Sequence, residues 1–163
     1  MVETIVDTAK VTGRRELHFT CLDDIRADVE QVAGAGEIKT LGNWSAGKIF
    51  QHLGLVMNKS IDGFQSQMPW IVRVLMGFFM KKKIINKPMG AGFKLPAKAA
   101  RELVPGETSL EQGLQTIRRG LERLKTETKR VNSPFLGKMT LEDWSKLHCR
   151  HSELHLSFLV PVS

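Results

Sequence analysis

Apolar residues recur along this chain at the three- and four-residue intervals of an α-helix, and almost nowhere at the two-residue interval of a strand. Ile25, Val29 and Val32 mark a first helix over 22–33, stopped by Gly34 and Gly36. Asn43 and Ser45 are both suitable caps for a second helix reaching about Phe64, with Ile49, Leu53, Val56 and Ile61 along one face. Pro69 suits the first turn of a third segment over 70–82, which is apolar on nearly all sides. The cleanest amphipathic helix opens at the capping box Ser109–Gln112 and repeats Leu114, Ile117, Leu121 and Leu124. Thr140, with Asp143 three residues on, caps a last helix carrying Leu147, Leu154 and Phe158 and ending before Pro161.

Two stretches lack this periodicity. Residues 1–20 read as a polar, extended arm packed on the helices. Residues 84–108 hold Pro88, Gly90, Gly92, Pro96 and Pro105 and read as a long irregular connection of the functional or mobile kind. Strand signals are confined to the arm before Cys21 and to Leu95. Four main helices with one inserted apolar segment make an all-α, four-helix-bundle domain spanning 1–163.

The 163 residues, 42% hydrophobic and 25% charged, suffice for one domain with a proper core. Cys21 and Cys149 match no redox or metal spacing and read as free thiols of a reducing cytosol. No secretory signal is evident near the start, and the most apolar stretch, 68–80, is interrupted by Arg73 and too short to span a bilayer. The expected location is therefore cytoplasmic, without stable membrane insertion. The formal net charge of +7 comes from short clusters such as Arg14-Arg15 and Lys81-Lys82-Lys83. No nucleic-acid reader motif accompanies them and the chain has no tyrosine for base stacking, so nucleic acid is not an expected partner.

Candidate chemistry gathers on the last helix. His151 and His155 lie one turn apart, about 40° around the axis, the i, i+4 arrangement that lets two imidazoles reach one ion. His148 falls on the same stripe. His52 on the second helix, beside Leu53 and Val56, offers a third ligand from a facing helix. A lone histidine beside a core face is more often a hydrogen-bonded structural residue, and a solvent-facing stripe is the alternative for the other three. Buried together, however, several imidazoles gain nothing unless something binds them. His-Ser-Glu-Leu-His (151–155) is not a zincin signature, because Glu153 turns away from an ion held by the flanking histidines; a salt bridge or an indirect contact through a histidine suits it better. Gly90-Ala91-Gly92-Phe93 opens no helix and so makes no phosphate loop, and Cys149 cannot face its neighbour His148 as a nucleophile pair.

Arg-Arg-Glu-Leu (14–17), Leu-Gly-Asn-Trp-Ser (41–45), Ser-Ile-Asp-Gly-Phe (60–64), Gly-Phe-Lys-Leu-Pro (92–96), Phe-Leu-Gly-Lys-Met-Thr (135–140) and His-Ser-Glu-Leu-His-Leu-Ser-Phe-Leu (151–159) occur in order along nearly the whole chain. They resemble a bacterial family catalogued only as a domain of unknown function within the DinB/YfiT-like superfamily. The resemblance implies a DinB-like four-helix bundle holding nickel or zinc through one histidine of the second helix and a His-x-x-x-His pair of the last. Those positions fall on His52, His151 and His155. It further implies kinship with thiol-dependent transferases and isomerases. The chain departs from the superfamily in its inserted apolar segment, and in Leu-Ser-Phe (156–158) where a basic residue, Gly and Gln are usual.

Two functions follow as expectations. In one, the divalent metal keeps an open position and serves a transferase or hydrolase reaction on a small molecule, with Lys94 either a substrate contact or an ordinary surface lysine. In the other, the histidines are structural ties in a helical binding or oligomerisation module. Trp70, Ile71, Val74, Leu75, Phe78 and Phe79 are expected in the core; with three lysines following them, a homodimer face or a peripheral membrane contact is the alternative.

Overall fold

The computed structural model describes residues 5–162 and is mostly helical. A 3-10 turn over Thr8–Lys10 precedes seven α-helices: α1 (Leu22–Ala33), α2 (Ala46–Asp62), α3 (Trp70–Phe79), α4 (Lys81–Asn86), α5 (Ala97–Leu103), α6 (Leu110–Thr126) and α7 (Leu141–Leu156). Strands β1 (Glu37–Thr40) and β2 (Leu159–Val162) pair antiparallel, Thr40 opposite Leu159 and Glu37 opposite Val162.

The helix starts follow from local chemistry. The hydroxyls of Ser45, Ser109 and Thr140 accept the backbone N–H groups of Lys48, Gln112 and Asp143, and Gln112 and Asp143 reach back to complete capping boxes. The core is built from α1, α2, α6 and α7, with Ile25, Val29, Phe50, Leu53, Ile117, Leu121 and Leu156 fully buried. Helices α2 and α6 approach at backbone distance. A methyl at Gly113 would lie 2.3 Å from the Gly47 carbonyl oxygen, and one at Gly54 would lie 2.6 Å from the Thr116 carbonyl carbon. Gly47, Gly54, Gly113 and Gly120, each pair seven residues apart, thus form a seam where only hydrogen fits.

The arm is tied down by arginines. Arg15 forks onto the Asp28 carboxylate at 2.6 and 2.8 Å and also donates to the Leu156 carbonyl. Arg14 donates to Ser157 Oγ and to the Leu154 carbonyl and lies over the Phe158 ring. Both therefore grip the end of α7.

Four sequence expectations need correction. Among the described residues the strands are at 37–40 and 159–162, not in the arm from residue 5 on or at Leu95, because the ribbon is held by pairing across the chain rather than by local β propensity. The 84–108 connection is not irregular throughout: α4 extends into it and α5 lies within it, anchored by buried Ile85, Ala99 and Leu103. The apolar third segment breaks at Met80 and is not core; no residue of α3 is buried. The last helix stops at Leu156, where Ser157 caps it, so Phe158 lies beyond it, and its innermost side chains are Trp144, His148, Cys149, Ser152 and Leu156, with Leu147 and Leu154 only half-buried.

Candidate metal centre

Mid-way along α2, the apolar face that packs inward carries His52, fully buried between Gln51 and Leu53. Across from it, the last two turns of α7 present His151 and His155, both half-buried. One ring nitrogen from each of the three lies within 4.8 Å of the others. His52 Nε2 and His151 Nε2 are 3.2 Å apart, and the three ring centroids are separated by 4.7 to 5.0 Å with the rings edge to face.

The tautomer of His52 is set from outside the cluster. Its Nδ1 lies 2.7 Å from the carbonyl oxygen of Leu103, the last residue of α5. A carbonyl only accepts, so Nδ1 carries the proton and Nε2 keeps its lone pair toward His151 and His155. That carbonyl is one of the helix-end oxygens left without an intrahelical partner, which frees it for the imidazole.

All three imidazoles are held neutral. Burial pushes the His52 pKa down against the opposing pull of the Leu103 carbonyl. Burial again, then the neighbouring histidines, puts His151 well below its usual range. His155 is lowered by burial, by His52 and by the nearby Arg14 guanidinium. Three neutral nitrogens facing one another are the protonation state that a cation requires of its ligands.

Trp44 walls the cluster, stacked parallel on His155 at 5.5 Å and edge-on to His52 at 5.1 Å. It sits just before the Ser45 cap, and Lys48 lies over its outer region, 5.8 Å from the ring centre. Sequence reasoning missed Trp44 and Leu103 as parts of the site. A tryptophan directly before a helix cap is a weak signal, and a backbone carbonyl gives none.

His148 does not join the cluster. It is buried one turn earlier, stacked on Trp144 at 5.4 Å with Nε2 3.3 Å from Ser60 Oγ. Burial and the Arg130 charge push its pKa down to about 3. Glu153 makes a buried ion pair with Arg150 at 2.6 Å and accepts the Phe19 N–H, so it serves as the salt bridge expected of it and fastens the arm. Lys94 is exposed, and Cys149 is a buried free thiol, pushed up to about 11 by that burial and therefore protonated; it lies outside the histidine cluster.

The family model described as "Protein of unknown function (DUF1569)" matches residues 11–162. The chain belongs to that family. The DUF1569 match takes in Arg14, Trp44, all three clustered histidines and both strands, so the whole arrangement lies within the family's span. No curated protein and no solved structure matches the chain. The expectation of a domain of unknown function is met, and the geometry of the site has to speak for its chemistry.

Proposed function

We propose that this protein holds a divalent metal ion, zinc or nickel, through His52, His151 and His155. The carrying observation is the convergence of three imidazole nitrogens from two helices with the lone pair of one already fixed inward by the Leu103 carbonyl. One pair of the donor set already has the spacing of such an ion, and the third nitrogen lies within 4.8 Å of both. Two ligand nitrogens at about 2.0–2.1 Å from a tetrahedral centre sit about 3.3 Å apart, close to the 3.2 Å between His52 Nε2 and His151 Nε2. Imidazoles suit zinc and nickel alike.

On this reading α1, α2, α6 and α7 form the DinB-like four-helix bundle that the sequence resembles, in a single domain with the arm packed against it. An ion held by three neutral ligands would keep its full charge and would supply Lewis acidity. The proposed activity is a transferase or hydrolase reaction on a small molecule. The chain's own residues supply the frame: Leu103 orients His52, Trp44 shields two rings from water, and Arg14 adds positive charge near His155. An open cleft of about 570 Å³ runs between the arm and Pro88 and Met89, lined by Arg14, Leu154 and Ser157 though not by His155 itself. None of the three clustered histidines lines this cleft, so it reaches the end of α7 without opening onto the cluster itself.

The rival reading, histidines that merely tie α2 to α7, is favoured by the stacking of Trp44 over the cluster. Metal content decides first. Protein purified without chelator and without a histidine tag should carry about one zinc or nickel per chain by mass spectrometry, and His52→Ala and His155→Ala should each lose it. A wild-type protein that stays metal-free after incubation with either ion overturns the proposal. Retained metal that no added small ligand perturbs, in the visible spectrum of a cobalt-substituted sample, favours the structural tie.

A further inference from the structure

Helix α3 presents six large apolar side chains to solvent. Trp70, Ile71, Val74, Leu75, Phe78 and Phe79 are 52% to 79% exposed and recur at i, i+1, i+4, i+5, i+8 and i+9, which places them along one face of ten helical residues. The opposite face is the one that docks. A methyl at Gly77 would lie 2.5 Å from the Leu136 carbonyl oxygen, and Arg73 lies against Gly137, so α3 rests on the loop at 133–137 and turns its apolar stripe outward. Contiguous apolar surface of this size marks an interaction site rather than ordinary exposure.

The charge around it selects the partner. Residues 63–101 contain eight Lys or Arg and no Asp or Glu, a formal +8, while the remainder of the chain sums to −1. The whole positive excess is therefore attached to the stretch that includes α3. Lys81 is engaged by Asp143 at 3.1 Å, but Lys82 and Lys83, in the first turn of α4 directly after α3, are exposed. A second copy of the chain would bring this acid-free segment against its own like charge. An anionic surface would neutralise it.

We propose that α3 docks this protein peripherally on a bilayer containing anionic lipid. The stripe lies flat in the interface with Trp70, Phe78 and Phe79 among the upper acyl chains, and Lys82 and Lys83 meet the headgroup phosphates. At ten residues α3 is far too short to cross, and no helix among the described residues is long and apolar enough to do so.

Co-sedimentation of the full chain with vesicles tests this directly. Vesicles of phosphatidylcholine with about 30% phosphatidylglycerol should bind the protein, and pure phosphatidylcholine should bind it at least about tenfold more weakly, with the anionic binding falling as salt rises. Phe78→Ser/Phe79→Ser should weaken anionic binding at least about tenfold. Lys82→Glu/Lys83→Glu should weaken it about twentyfold or more, since each lysine near such a surface contributes about fivefold. Because these side chains are exposed, both variants should keep the wild-type melting temperature, which checks that they fold. Three results overturn the proposal: no binding to either vesicle; binding that the Phe78/Phe79 variant retains; or a dimer in sedimentation velocity that this variant dissolves without any vesicle binding, which would assign the face to a second copy. Specific capture by a polyanionic protein without vesicle binding would likewise reassign it.

Discussion

The Nδ1 proton of His52 is given to the backbone carbonyl of Leu103, 2.7 Å away, so a residue of α5 decides which nitrogen of an α2 side chain faces α7. The connection that holds α5 is thereby coupled to the candidate metal centre without supplying a ligand. Partners of this kind typically matter ten- to a hundredfold in metal affinity.

Leu103→Ala tests that coupling. The side chain is buried, so its loss should cost about 2–4 kcal/mol of stability and let the end of α5 shift. Zinc affinity, read by competition with a chromophoric chelator below the unfolding range, should fall about tenfold or more. An unchanged affinity in a folded variant would show that the carbonyl does not orient the ring.

His148 predicts an acid response of the metal-free protein. Its folded pKa of about 3 lies below the roughly 6.5 of an unfolded imidazole, so between these values the unfolded state binds the proton and the folded state does not. Its contribution is complete above pH 6.5 and is lost as pH falls toward 3, amounting to about 2 kcal/mol by pH 5. The depressed histidines of the cluster add slope of the same sign. Urea midpoints between pH 7.5 and 5 should drop for wild type and drop less for His148→Gln; parallel curves would refute the assignment.

The seam between α2 and α6 gives a third test. Gly113→Ala places a methyl against the backbone of Gly47, which cannot rotate away, and should destabilise by about 1–3 kcal/mol or more. Gly106→Ala meets nothing within 4 Å and should leave the melting temperature nearly unchanged. Equal melting temperatures for the two variants would mean that the helices are not in backbone contact.

What the sequence made legible was whatever is decided within a few residues. Ser45, Ser109 and Thr140 announced their helices because a cap acts on its own first turn, and His151 and His155 announced a shared face because one turn separates them. His148 obeyed the same spacing and still went elsewhere, since Trp144 and Ser60, distant partners, claimed its ring. The β1–β2 ribbon was invisible: Glu37–Thr40 is short and charged, Leu159–Val162 contains Pro161, and only their pairing makes either a strand. Helices α4 and α5 hid behind glycines and prolines because Ile85, Ala99 and Leu103 are fixed by tertiary burial rather than by periodicity. Residues 70–79 misled in the opposite direction, since burial is the ordinary fate of a helix apolar at all but one long side chain, and nothing local says which side will be left bare.

The β1–β2 ribbon has a consequence for the histidines. Its innermost rung pairs Thr40 with Leu159, and each stands four residues from a stacked aromatic partner, Trp44 on one side and His155 on the other. The Leu41 N–H to Phe158 carbonyl bond extends the clasp by one step. The distance between those two rings is therefore ruled by hydrogen bonds made outside the cluster, before any ion arrives. The ordering entropy of the site is spent in folding, so an ion binding there would meet a preorganised cradle instead of recruiting one.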